Sequence, residues 1–166
     1  MLVAGLALGA VHLSFHDRAA IKARKAVGVA LAAGGAFAVI GWLLVPSHDL
    51  PWEHDEAAAF AKARAEGKGV MVDFGATWCT PCTQLEVTFG DEQVYPELVA
   101  NFVPLKFDVT EDNAINTERK QRYDGGTPTV IFMDTDGTAH ARVREYLPPA
   151  EFKEVLTCAI GNLRAK

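Results

Sequence analysis

Two cysteines spaced by two residues sit where an apolar run gives way to a helical pattern, in Trp78-Cys79-Thr80-Pro81-Cys82. Residues 70–74 before them (Val70-Met71-Val72-Asp73-Phe74) are a short apolar run of the kind that forms a buried strand. From Thr80 onward the pattern is helical, so Cys79 falls at a helix N-terminus. There the free N–H groups and the helix dipole favour a thiolate. Cys82 lies one turn further on, close enough to attack a disulfide formed on Cys79. A bridge over two residues closes too small a loop to restrain an unfolded chain much, so the pair is read as chemical rather than structural. Cys79 is the predicted nucleophile and Cys82 the resolving thiol. The residues alone leave an inert buried pair or half a zinc site as alternatives. Tetrahedral zinc needs four ligands, and only Cys158 and scattered histidines remain to supply them.

Around this motif, helices and strands alternate. The spacing predicts a helix over 53–66 with Ala57, Phe60, Ala61 and Ala65 on its inner side, ended by Gly67. A helix from Thr80, broken near 89–91 and resumed over 92–101, precedes a second strand at 103–109. A polar helix over 111–123 leads to a third strand at 129–133. Asp134-Thr135-Asp136-Gly137 then signals a hairpin into a fourth strand at 139–144. A closing amphipathic helix over 148–163 carries Phe152, Val155, Leu156, Ala159, Ile160 and Leu163 on one stripe. Cys158 is read as a small buried hydrophobe on that stripe. The fold class is α/β: a small mixed sheet, one parallel pair plus an antiparallel hairpin, covered by helices.

The N-terminal part has a different composition. Residues 26–45 hold no charge, and a helix of that length rises about 30 Å, the thickness of a bilayer core. Arg18, Lys22, Arg24 and Lys25 precede it, Trp42 lies near its far end and Pro46 follows. The positive-inside rule then puts the chain after Val45 on the outer side. Residues 1–15 are also apolar, and the expectation is a transmembrane hairpin within 1–45, with 26–45 the main span. A proline-bearing linker over 46–51 and a soluble domain over 52–166 would follow. Residues 1–51 carry a charge of +2 and residues 52–166 a charge of −7, an acidity that excludes phosphate-backbone binding and hence a nucleic-acid partner.

Val72-Asp73-Phe74, Trp78-Cys79-Thr80-Pro81-Cys82 and Gly126-Thr127-Pro128-Thr129 stand in the order and spacing of the thioredoxin superfamily, which the sequence resembles. Residues 67–74, the Trp78–Cys82 motif with Glu86 following, and Phe107-Asp108-Val109-Thr110 are more closely similar to the C-terminal periplasmic domain of the DsbD family of membrane thiol:disulfide interchange proteins. The resemblance implies a thioredoxin-like fold behind the final transmembrane hairpin of that family. It further implies a cis peptide bond at Pro128 and a substrate groove formed by Trp78, Pro81, Thr127 and Pro128. Asp73 and Glu86 would tune the cysteine pKa values, and Lys106 would lie near Asp73. The implied activity is protein-disulfide reduction at a bacterial inner membrane, with the soluble domain in the periplasm. The partners would be thiol or disulfide proteins and a membrane electron-donor domain. No cofactor or metal is needed, because the cysteines carry the electrons. A reductase of cytochrome c maturation and a non-catalytic binding module are the competing functions. Arg144-Glu145 departs from the family, which usually has a glycine near the end of the last strand.

Overall fold

The computed structural model describes residues 19–44 and 48–165, with side chains described from residue 27 onward, those of 40 and 42–44 excepted. It divides into two compact units, Met1–Val45 and Pro46–Lys166. In the first unit, α1 (Ala19–Leu44) is one continuous helix, on which Val27, Val29, Phe37 and Val39 stand exposed. Among the described residues no helix is long and apolar enough to cross a membrane. The segment expected at 1–15 and the end of the expected span at Val45 lie outside the described residues.

The second unit runs α2 (Glu56–Glu66), β1 (Gly69–Gly75), α3 (Thr80–Phe89), α4 (Tyr95–Asn101), β2 (Phe102–Asp108), α5 (Ala114–Tyr123), β3 (Thr129–Met133), β4 (Ala139–Val143) and α6 (Pro149–Arg164). The sheet order is β2-β1-β3-β4, with β1 parallel to β2 and antiparallel to β3, and β4 antiparallel to β3. All seven residues of β1 are buried, because helices cover both faces of this central strand. Period-two alternation sorts its side chains. Val70, Val72 and Phe74 join Phe107, Ile131 and Tyr123 on the face covered by α2 and α5. Met71 faces the other way, toward Leu85, Phe89, Phe132, Phe152 and Leu156 of the layer under α3 and α6. Asp73, two residues on, shares the face of Met71.

Local chemistry sets the ends of α2. The Asp55 carboxylate accepts the Ala58 N–H at 2.7 Å, and Gly67, at φ 65°, takes the left-handed turn that closes the helix. Its inner face is Ala59 and Ala63, with Phe60 half-buried, whereas the predicted Ala57, Ala61 and Ala65 are exposed. In so alanine-rich a segment both faces offer alanines four apart, so hydrophobicity alone does not choose between them and packing against the sheet decides. Gly90 ends α3 and Asp91 caps the following turn through Gln93 N–H at 2.8 Å, so the resumed helix starts at Tyr95 rather than at 92. On α6, Phe152, Leu156, Ala159 and Ile160 are buried but Cys158 is exposed. It lies about 200° around the helix from Leu156, off the stripe, so it is not the buried hydrophobe expected. Before α2, Leu50 is buried in the core and His48 stacks on Tyr95 at 4.6 Å. Glu53 bridges to the β2 edge at Leu105.

Candidate active site

β1 delivers the chain to the cysteine loop. There Thr110, two residues past β2, receives two bonds: Thr77 N–H donates to its hydroxyl at 3.0 Å and Trp78 Nε1 to its carbonyl at 3.3 Å. The indole is thereby oriented while remaining 63% exposed beside the redox pair. Cys79 is the N-cap of α3, and Pro81, which lacks an N–H, occupies the first turn, where no intrahelical donor is required. Cys79 Sγ accepts the Cys82 N–H at 3.2 Å. That contact and the helix N-terminus favour a negative charge on Cys79 once the bridge is opened. Cys79 and Cys82 are joined as a disulfide, with Cα atoms 5.3 Å apart, and both residues are buried. Cys82 Sγ lies 3.9 Å from the Phe74 carbonyl oxygen, an acceptor for its thiol in the reduced state. The site is therefore a dithiol–disulfide couple whose two forms differ by two electrons and two protons.

Asp73 is buried in β1, the strand that leads into this loop, and its carboxyl is pushed up to about 7. Burial is the main cause; the Lys106 ammonium opposes it and the Glu86 carboxylate adds to it. The parallel register aligns Asp73 with Lys106 on β2, and Lys106 Nζ forms an ion pair with Glu86 of α3. Lys106 also stands over the Trp52 ring, 5.4 Å from its centroid. A cavity of about 480 Å³ opens between these groups, lined by Trp52, His54, Gly75, Cys82, Glu86 and Lys106 among others. Glu86 and Cys82 thus share one cavity, and Lys106 bridges Glu86 to the neighbourhood of Asp73.

The Thr127–Pro128 peptide is cis. Pairing of Phe74 with Thr129 brings this peptide, just before β3, to the end of β1, where the cysteine loop leaves the sheet. Among the described residues, no group of three or more histidine, cysteine or acidic side chains is placed to hold a metal ion. The Glu86–Lys106 pair and the contributions of Trp52 and His54 were not legible in the sequence, since they depend on a strand edge and a segment whose packing no local pattern encodes. Asp108, which accepts both the N–H and the hydroxyl of Thr110 and is held below the usual carboxylate range by those bonds, completes the support of the Trp78 loop.

A redox-active disulfide at a helix N-terminus, a buried acid behind it and a cis-proline loop beside it define a thioredoxin-type centre. The family described as "Thioredoxin-like domain" matches residues 57–160, and the chain belongs to that family. Within it, the chain is similar to the thiol:disulfide interchange protein DsbD of Yersinia pestis, 38% identical over 98 residues, covering 57% of this chain and 16% of that protein. It is also 38% identical over 117 residues to DsbD of Ralstonia nicotianae, covering 69% of this chain and 19% of the relative. The chain therefore spans less than a fifth of the length of these relatives. Among solved structures, a thioredoxin from Thermus thermophilus is similar at 31% identity and TM-score 0.59, over 72% of this chain and 95% of that one. The oxidised C-terminal domain of Neisseria meningitidis DsbD shares the fold at 22% identity and TM-score 0.53, over 64% of this chain and 95% of that one.

Proposed function

We propose that this chain is a membrane-anchored thiol:disulfide oxidoreductase that reduces disulfides of partner proteins through Cys79 and Cys82. The observation that carries this reading is the Cys79–Cys82 disulfide at the N-terminus of α3, with the carboxyl of Asp73 buried in the strand that leads into it. In the dithiol form the Cys79 thiolate attacks one sulfur of a partner disulfide. A mixed disulfide forms, and the partner's other sulfur leaves as a thiolate and takes up a proton. Cys82 then gives its proton to the Asp73 carboxylate and attacks Cys79 Sγ, which closes the intramolecular bridge and releases the second partner thiolate; that thiolate takes up a proton as Asp73 gives its own back to solvent. The partner gains two electrons and two protons, and the enzyme dithiol loses them. A carboxyl near 7 suits this exchange at neutral pH, because it both accepts and returns a proton there. Glu86 and Lys106 set the charge around Asp73. Trp78, Pro81 and the Thr127–Pro128 peptide form the groove for the partner chain.

Anchoring through a hairpin in 1–45 is supported by the uncharged run at 26–45, the basic cluster before it and the exposed apolar side chains of α1. By the positive-inside rule the domain over 52–166, joined by residues 46–51, then faces the bacterial periplasm. The relatives' name, thiol:disulfide interchange protein, supports thiol or disulfide proteins as partners, and a membrane domain as electron donor belongs to the same proposal. The deciding experiment is the equilibrium reduction potential of the detergent-solubilised chain, with Cys79→Ser as control. A value toward the roughly −270 mV of thioredoxin is expected; one near the roughly −120 mV of a strong oxidant would reverse the electron flow. Absence of a reversible disulfide would remove the enzymatic reading.

A further inference from the structure

The turn into the cis-proline loop is held from the neighbouring edge strand. α5 ends at Tyr123, and Asp124 takes the left-handed conformation at φ 48°, ψ 45°, which is uncommon for a residue with a side chain. Arg142 of β4 donates through Nη1 to the carbonyl oxygens of Tyr123 at 2.6 Å and Asp124 at 3.2 Å. Arg144, just past β4, donates through Nη2 to the Asp124 carbonyl at 3.2 Å and pairs with the Asp124 carboxylate. Two guanidinium groups thus close on the C-terminus of a helix, where the carbonyls present partial negative charge.

Three residues separate this clasp from Pro128. Gly125 lies flat against Phe74, since a Cβ there would meet the ring at 2.8 Å. Gly126 donates its N–H to Thr129 Oγ1 at 3.0 Å. Two successive glycines leave a loop with wide conformational freedom unless both ends are held. The far end is tied through Thr129 in β3; the near end is tied by Arg142 and Arg144. The pairing of Val130 with Val143 is the last of the β3–β4 ladder, so Arg144 follows directly where β3 begins at Thr129. The clasp therefore lies along the rim of the loop that carries the cis peptide.

We propose that the Arg142/Arg144–Asp124 clasp is a positioning device for the Gly125–Pro128 loop, and that Arg144 and Asp124 thereby determine affinity for protein disulfides without taking part in the exchange itself. This rests on the disulfide-reductase reading above. An exposed ion pair by itself stabilises little, so the clasp acts by narrowing the positions of a glycine-rich loop rather than by holding the fold together.

The test uses the detergent-solubilised full chain, with insulin as protein disulfide turned over by excess dithiothreitol, and 5,5′-dithiobis(2-nitrobenzoate) as small disulfide in a single turnover of the pre-reduced chain. Arg144→Ala, Asp124→Gly and the double variant are compared, the glycine accepting the left-handed backbone without strain. Each single change is expected to raise KM for insulin by about three- to tenfold with kcat held within about twofold, and the double change to add nothing further. Reaction with the small disulfide stays within about twofold of wild type, Arg144→Lys falls between wild type and Arg144→Ala, and the amides of residues 125–127 exchange hydrogen faster in Arg144→Ala. Unchanged KM, an equal loss on the small disulfide, or additive single effects would overturn the proposal. If the wild type reduces neither substrate, the reductase reading fails; amide exchange then still decides the clasp, and unchanged protection at 125–127 overturns it.

Discussion

Replacing Asp73 by asparagine keeps the shape of the buried side chain and removes its ionisation. Asp73 is 3% exposed, and its carboxyl is pushed from 3.8 to about 7, chiefly by burial. The sign follows from linkage. Below 3.8 the folded and unfolded chains both hold the proton, and ionisation costs the fold nothing. As pH rises from 3.8 toward 7, the unfolded chain releases a proton that the folded chain retains, so stability falls. Above 7 both forms are ionised and the loss is complete; at about 1.4 kcal/mol per pH unit it amounts to about 4 kcal/mol. Roughly 3 kcal/mol of that loss falls between about pH 5 and about pH 8. Urea unfolding of the oxidised chain, followed by tryptophan fluorescence at those two pH values, checks it. Wild type should lose stability on going to the higher pH, while Asp73→Asn should lack this component and gain on wild type as pH rises. Parallel pH profiles for the two proteins would show that Asp73 is not a raised, buried acid and would remove the proton-exchange role built on it.

Lys106→Met takes away the cation that opposes the rise of the Asp73 carboxyl, so this group should titrate higher by about one pH unit or more, as followed by carbon NMR of the side chain; an unchanged or lower value would mean that the Lys106 charge does not act on Asp73. Gly69→Ala forces a Cβ to within 2.7 Å of the Met133 carbonyl oxygen and the Phe102 ring, and should lower stability by about 1–3 kcal/mol in urea unfolding. Gly161→Ala, which meets nothing within 4 Å inside α6, should instead raise it by roughly 0.5–1 kcal/mol; equal effects of the two substitutions would refute the close approach at Gly69.

Strand runs, the break after Phe89 and the Asp-Gly hairpin were legible in the sequence because each rests on local physics: buried strands need continuous apolar residues, and glycine and aspartate end or cap what precedes them. The Cys79–Cys82 pair was legible for the same reason, since strand, turn and helix N-terminus follow one another in the chain. Asp73 could be recognised as buried because a charged residue inside an apolar strand has nowhere else to go. Which face of α2 packs was not legible, because an alanine-rich helix is oriented only by what it packs against; the outward place of Cys158 was legible, since about 100° per residue sets it about 200° from Leu156, and the expectation misplaced it on the stripe.

Only the tertiary structure decided the rest. Lys106 meets Glu86, and its charge bears on Asp73, because β1 and β2 pair in parallel with Asp73 opposite Lys106, a register set by the whole sheet. Arg142 and Arg144 meet Asp124 because β4 lies beside β3 at the end of α5. Contacts of this kind join residues 18 to 33 positions apart. No short-range pattern encodes them, since their partners are chosen by the packing that buries the apolar faces first and leaves the polar groups to pair where the backbone has put them.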